Sequence, residues 1–242
     1  MSAPHPPDDA VWHGLSVADT LDRLETDSAG LDSDEARARL DAFGSNEIVA
    51  TADASPLRLF LSQFRDFLVY LLVLAALLSL GIGLLPSADP HYADAALILL
   101  ILLANGVFGF VQDYRAEQAI AALRDLSAPE ATVLRDGDPV TVDATAVVPG
   151  DVLVLEGGDA VPADARLVDA AGMQADESAL TGESTSVAKS VAPVDPDAPL
   201  AERTDMVYMN TSVVTGRGRA VVVRTGMDTE VGSIATQIEA AP

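Results

Sequence analysis

Two long apolar stretches in the first half of this chain constrain its fold more than any other feature. Residues 67–85 form an uncharged run of about 19, close to the ~20 that a helix needs to cross a hydrocarbon core. Residues 95–111 form a second, slightly shorter run that can be extended at either end, and Pro86, Asp89 and Pro90 supply a tight connection. Core helices of a soluble protein would share this composition, but two such runs joined by a short loop predict a transmembrane hairpin over residues 56–112. Its spans are expected at about 66–86 and 93–112, which makes the lipid bilayer the first partner of the chain.

Orientation follows from the cations. Arg58 and Arg65 precede the first span and Arg115 and Arg124 follow the second, whereas residues 86–94 hold no lysine or arginine. Cationic flanks stay on the cytoplasmic side, so the expectation is a multi-pass protein of the cell membrane with both termini cytoplasmic. Asn105, inside the second run, predicts an interhelical hydrogen bond. Asp94 reads as a solvated boundary residue.

Outside the hairpin the periodicity changes twice. Ser16 can cap a helix with Val17, Leu21 and Leu24 on one face. Ser33 can cap a second, in which Ala36, Leu40 and Phe43 share a side and Gly44 supplies the stop. Residues 1–55 therefore read as a small cytosolic α-helical module. After the second span, Ala116, Ile120 and Leu123 keep helical spacing, so residues 113–128 are expected to continue into the cytosol as a stalk. Beyond Pro129 the runs are short and β-like. Thr132-Val133-Leu134 and Val140-Thr141-Val142 flank an Asp136-Gly137 turn, and further runs lie at residues 152–155, 166–168 and 220–224. Residues 129–232 thus read as a mainly β domain of common size, with an exposed Pro- and acid-rich excursion at 195–202. The last residues, 233–242, read as the start of another helix.

Thirty-seven acidic against 14 basic side chains give a formal charge of −23, and Lys189 is the single lysine. That bias is typical of adaptation to high salt, where screening removes the self-repulsion of carboxylates. It also excludes nucleic acid as a partner, since phosphates need a cationic surface. With no cysteine, disulfides and thiolate metal sites are excluded, and His5, His13 and His91 have no ligand spacing. The proline-rich, acidic first residues do not read as a signal peptide.

The chemistry concentrates in Asp176-Glu177-Ser178-Ala179-Leu180-Thr181-Gly182-Glu183-Ser184. Gly182 lets the backbone approach a phosphate closely, Thr181 and Ser184 carry hydroxyls that can donate to its oxygens, and Glu183 can orient a water for attack. Around this run, in order, stand Val148-Pro149-Gly150-Asp151, Gly158-Asp159-Ala160-Val161-Pro162-Ala163-Asp164, Thr225-Gly226 and Thr229-Glu230-Val231-Gly232. The ordered set strongly resembles the actuator domain of P-type cation-transporting ATPases. Ala104-Asn105 and the segment from Gly109 to Ala119 look like that family's second span and stalk. Phe43-Gly44-Ser45-Asn46-Glu47 resembles the family's N-terminal domain.

The resemblance covers nearly the whole chain and implies a multi-domain membrane protein. Its parts are the helical N-terminal module, the two-helix hairpin with its stalk, and a mainly β, distorted jelly-roll-like actuator domain. In that family an aspartate on a separate domain is phosphorylated by ATP, and the actuator loop then promotes its hydrolysis. The implied site is Thr181, Gly182, Glu183 and Ser184, with Glu183 positioning the water, Thr181 and Gly182 shaping the approach and Ser184 supporting the loop. For Pro149, Gly150, Asp151 and residues 158–164 the expected role is structural, turns closed by aspartate hydrogen bonds.

Two positions depart from the family pattern. Ser186 stands where proline is frequent, and Asn210 where glycine is usual, although asparagine tolerates a positive φ better than most residues. The family's phosphorylated Asp-Lys-Thr-Gly motif is absent, because Lys189 lies between Ala188 and Ser190. The expectation is therefore the N-terminal part of a pump, truncated before the phosphorylation domain and inactive alone. It would hold no cofactor of its own, while ATP and Mg2+ serve the complete pump. Its partners would be the phosphorylation and nucleotide-binding domains, in cis or in trans, and a transported cation, with Ca2+ as the first choice. A membrane-anchored, non-catalytic regulatory or scaffolding module and a non-functional gene fragment are the alternatives.

Overall fold

The computed structural model describes residues 10–48, 60–61, 63–83, 92–126, 129–182 and 185–240. It divides into two compact units, one formed by residues 51–127 and the other by residues 1–50 together with 128–242.

In the first unit, helix α3 spans Phe67–Gly83 and α4 spans Tyr92–Leu126. One stretch, residues 93–116 with a mean hydropathy of 2.2, is long and apolar enough to cross a membrane. Helix α3 has 17 residues, about 26 Å at a rise of ~1.5 Å each, slightly short of a ~30 Å core. Among the described residues one helix is of full spanning length, and the second span that the sequence predicts is not confirmed. The expected connection at Pro86, Asp89 and Pro90 lies outside the described residues. Both helices expose leucines, among them Leu74, Leu77, Leu78, Leu99, Leu100 and Leu103, as lipid-facing helices would. Helix α4 runs unbroken through the expected stalk as far as Leu126, and Asn105 lies on its exposed face.

The second unit is a head built on seven strands: β1 (Glu130–Arg135), β2 (Asp138–Asp143), β3 (Val152–Glu156), β4 (Asp164–Asp176), β5 (Val187–Ala188), β6 (Met206–Val207) and β7 (Ser212–Arg224). Every pairing is antiparallel, in the order β2-β1-β3-β7-β4-β5, with β6 added to β4. Asp136 and Gly137, at φ 56° and 85°, make the tight turn between β1 and β2. Strands β4 and β7 run for 13 residues each, far longer than the runs at 166–168 and 220–224 suggest. Register shifts along their ladder, such as that between Leu167 and Asp169, break the two-residue alternation that marks a strand.

The apolar runs alternate between two cores. Leu153, Ala220 and Val222 face one cluster with Val133, Leu155, Leu167 and Met173, whereas Val152, Val221 and Val223 face another. That second face is covered by Ala10, Trp12 and Leu24 from the start of the chain, with Leu21 packed beside them. The N-terminal helices are therefore a layer of the head, since a strand apolar on both faces needs a cover on each.

Helix α1 (Val17–Arg23) is capped as expected, Asp19 N donating to Ser16 Oγ at 3.2 Å. Helix α2 (Ser33–Phe43) corrects the sequence reading. Its cap is Asp32, whose Oδ1 accepts from Glu35 N at 2.7 Å, while Ser33 is the first helical residue and its hydroxyl donates to Asp136 Oδ2. Both residue types cap well, and the choice fell to the one whose neighbour had a distant partner. Gly44, at φ 83°, ends the helix.

Candidate functional site

The chemistry-bearing run is an excursion between β4 and β5. Strand β4 ends at Asp176, helix α5 occupies Ser178–Thr181, and β5 returns to pair with Gln174 and Ala175. A helix of one turn holds only if its ends are satisfied. Asp176 Oδ1 accepts from Ser178 N at 2.9 Å, and these bonds from Ser178 hold the Asp176 carboxyl below the usual range. The Glu177 carbonyl accepts from Leu180 N, Thr181 N and the Thr181 hydroxyl. Gly182 closes the turn in the left-handed region (φ 76°, ψ 0°), donating to Ser178 O at 3.0 Å. Glycine adopts that conformation without a side-chain penalty, so the turn can reverse sharply at this residue.

Leu180 is packed against the second core, while Ala179, Gly182, Thr185 and Ser186 are exposed. Thr181 is half-buried, and Glu183 and Ser184 lie outside the described residues. Ser186, the first departure from the family pattern, donates to Gln174 Oε1 at 3.1 Å. Asn210, the second, adopts φ 65° as that position requires.

Beneath the loop the head buries four charges. Lys189 Nζ lies 2.5 Å from Glu177 Oε1, and Arg166 Nε lies 2.9 Å from Asp205 Oδ2. Burial pushes the Glu177 and Asp205 carboxyls up and the Lys189 ammonium and Arg166 guanidinium down, against the attraction of their partners. Arg166 also donates to the carbonyls of Leu15, Leu167, Val191 and Asp205, which draws three distant segments together. The Lys189 ammonium sits 5.9 Å from the centre of the Tyr208 ring, whose hydroxyl pKa burial raises. Sequence reasoning missed this arrangement. The available signal was a lone lysine in a strongly acidic chain, placed just past the reactive run.

The flanking motifs act as joints. Asp151 accepts from Val148 N at 3.0 Å and from Arg135, and Asp159 accepts from Glu156 N. Asp164 accepts from Met209 N and from Glu230 N at the start of helix α6 (Glu230–Ala240). Burial raises the Asp164 carboxyl to about 6 despite those bonds. Asn46 donates to Ala144 O and Pro162 O and accepts from Gly226 N, so three motifs far apart in sequence meet at one side chain. The excursion at 195–202 is mostly exposed, as expected, and is tied to the N-terminal segment by Val194 N to His13 O and by the 3.0 Å contact of His13 Nε2 with Pro196 O.

Comparison with known proteins supplies an independent view of the same segments. A model of the P-type ATPase actuator domain matches residues 125–239, and a model of the cation transporter/ATPase N-terminus matches residues 12–79. The chain is 40% identical over 232 residues to a calcium-transporting ATPase of Bacillus subtilis, covering 95% of this chain and 25% of that protein. It is 38% identical over 236 residues to calcium-transporting ATPase 1 of Bacillus cereus, covering 95% of this chain and 26% of that protein. A probable cation-transporting ATPase F of Mycobacterium tuberculosis is 38% identical over 230 residues, 95% of this chain and 25% of its own length. The chain spans about a quarter of the length of the curated relatives it matches.

Proposed function

Since the chain belongs to the P-type cation-transporting ATPase family, we propose that it forms the N-terminal and actuator portion of a pump that couples ATP hydrolysis to cation transport. In this reading the loop after β4 promotes hydrolysis of an aspartyl phosphate carried by a phosphorylation domain. The observation that carries the proposal is local: α5 ends on Gly182 in the left-handed region, exposed, one residue before Glu183. An exposed glycine in a left-handed turn lets a partner's phosphoryl group come close to the backbone, next in sequence to the carboxylate of Glu183.

Glu183 orients the attacking water and takes up its proton as the oxygen bonds to phosphorus and the aspartyl oxygen leaves. Thr181 and Gly182 shape the approach, with the Thr181 hydroxyl donating to Glu177 O and so stiffening the turn. Ser184 is assigned the support of the loop. In this reading ATP and Mg2+ serve the phosphorylation and nucleotide-binding domains of the complete pump, and no step here runs through them.

The hairpin crosses the cell membrane twice with both termini cytoplasmic, and the N-terminal helices and the actuator share one head. The transported cation is Ca2+, a reading supported by the calcium-transporting relatives of two Bacillus species. The test is Glu183→Gln, in an assembly of this chain with the phosphorylation and nucleotide-binding domains. Decay of the phosphoenzyme slows by about 100-fold or more and phosphoenzyme accumulates. An unchanged decay rejects the role of Glu183 and leaves a scaffolding module as the better reading.

A further inference from the structure

Glu177 and Lys189 stand at the two ends of the loop, one where the chain leaves β4 and the other just past β5. Their side chains meet inside the head, Glu177 at 1% exposure and Lys189 at 8%. Residues 178–188, the whole excursion, lie between them. A buried ion pair is a poor source of stability, because an apolar pair of similar volume serves as well or better. Stability therefore does not explain why the chain's single lysine stands here, and the place itself suggests the reason.

The backbone closes the neck of the loop on one side, where β5 pairs with Gln174 and Ala175 and Lys189 N donates to Met173 O at 2.9 Å. The ion pair closes it on the other. Glu177 is the residue whose carbonyl receives Leu180 N, Thr181 N and the Thr181 hydroxyl, so its orientation sets that of α5 and of Gly182 after it. On the far side of the pair, the Tyr208 ring faces the Lys189 ammonium.

We infer that the Glu177–Lys189 pair is a positioning device for the Thr181-Gly182 turn, setting the angle at which α5 and that turn leave the sheet. The inference rests on the reading above, in which this turn meets an aspartyl phosphate. Neither residue touches the reacting atoms; both act through the backbone they hold.

Two variants test it: Lys189→Met, which strands the Glu177 carboxyl, and Glu177→Gln/Lys189→Met, which removes both charges of the pair together and so folds even where the first does not. In the full 242-residue chain, amide hydrogen exchange at residues 178–182, 185 and 186 reads the loop, and exchange in β3 and β7 reads the sheet. The double variant exchanges about ten-fold faster in the loop, with the sheet unchanged. Unchanged exchange in the loop, or a rise spread equally over loop and sheet, overturns the inference.

In the assembled pump, the first-order decay constant of the phosphoenzyme falls about ten-fold in the double variant, since small misplacements of a catalytic group are costly. A first-order constant does not depend on how much protein is folded, so a purely structural defect leaves it unmoved. Glu183→Gln run alongside separates the two readings. If that variant decays normally, the proposed function fails; if it slows decay and the double variant does not, the positioning role alone fails.

Discussion

At two of the places where the head buries charge, it does so by contrasting means. Where the N-terminal helices dock, Arg39 is held mainly by neutral acceptors: Nη1 donates to Leu24 O and Pro149 O, each at 2.9 Å, and Nη2 to Glu25 O at 3.3 Å. Glu35, one turn back on α2, receives Nε at 2.7 Å. Gly150 makes room, since a Cβ there would lie 2.2 Å from Arg39 Nη1. At the neck of the loop, by contrast, Glu177 and Lys189 are matched by one another, and burial drives both towards neutrality.

The difference separates a joint held mainly by groups that do not titrate from one held by a single titratable pair. Carbonyls do not titrate, so the three bonds from Arg39 to Leu24 O, Pro149 O and Glu25 O do not depend on protonation of their acceptors, and several must break together before the dock opens. The neck depends on a carboxyl and an amine that hold one another against the cost of burial, so loss of either leaves the other buried without its partner.

The sharpest way to break the comparison is Arg39→Met. Three carbonyls lose their donor at once, and the head should lose about 3 kcal/mol or more. Urea unfolding read through Trp12, the only tryptophan and itself buried, measures this. A loss below about 1 kcal/mol would mean that the dock is no firmer than the neck.

Asp164 sharpens the comparison from a third side, because it has two backbone donors and is nevertheless raised to about 6 from the usual 3.8. A carboxyl whose folded pKa lies above its unfolded value stabilises fully below about 3.8, and that contribution is lost as pH rises through about 6. Wild-type chain should therefore lose on the order of 2 to 3 kcal/mol relative to Asp164→Asn between those two pH values. The comparison is made by unfolding both proteins at a series of pH values. A parallel pair of stability curves would remove Asp164 as the source.

The smallest effect is expected two residues before Arg39. Arg37 reaches Asp34 at 3.4 Å on the open surface of α2, and Arg37→Ala should change stability by less than about 0.5 kcal/mol. A loss comparable to that of Arg39→Met would show that charge on α2, rather than burial, holds the dock.

Much of the architecture was legible because it is written in local periodicity. The helix capped by Ser16, the stop at Gly44, the Asp136-Gly137 turn and the long helix through the second apolar run all follow from patterns within a few residues. Of the run of glycine, hydroxyls and carboxylate, the structure defines the backbone as far as Gly182, which ends α5 in the left-handed region, while Glu183 and Ser184 lie outside the described residues. Less legible were the full lengths of β4 and β7, since bulges scramble the alternation on which a strand assignment depends.

By itself, then, the sequence determined most of the helices, the β character of the head and its apolar runs, and it offered a carboxylate beside a glycine as a candidate for meeting a phosphate. Only the tertiary structure decided partnership. It laid the N-terminal helices over the second face of the sheet, joined Asn46 to Gly226 across 180 residues, and set Lys189 against Glu177. The reason is that backbone preference and side-chain period are properties of neighbours in the chain. The partner of a buried polar group is chosen by which surfaces the whole fold brings together, and no local pattern records that choice.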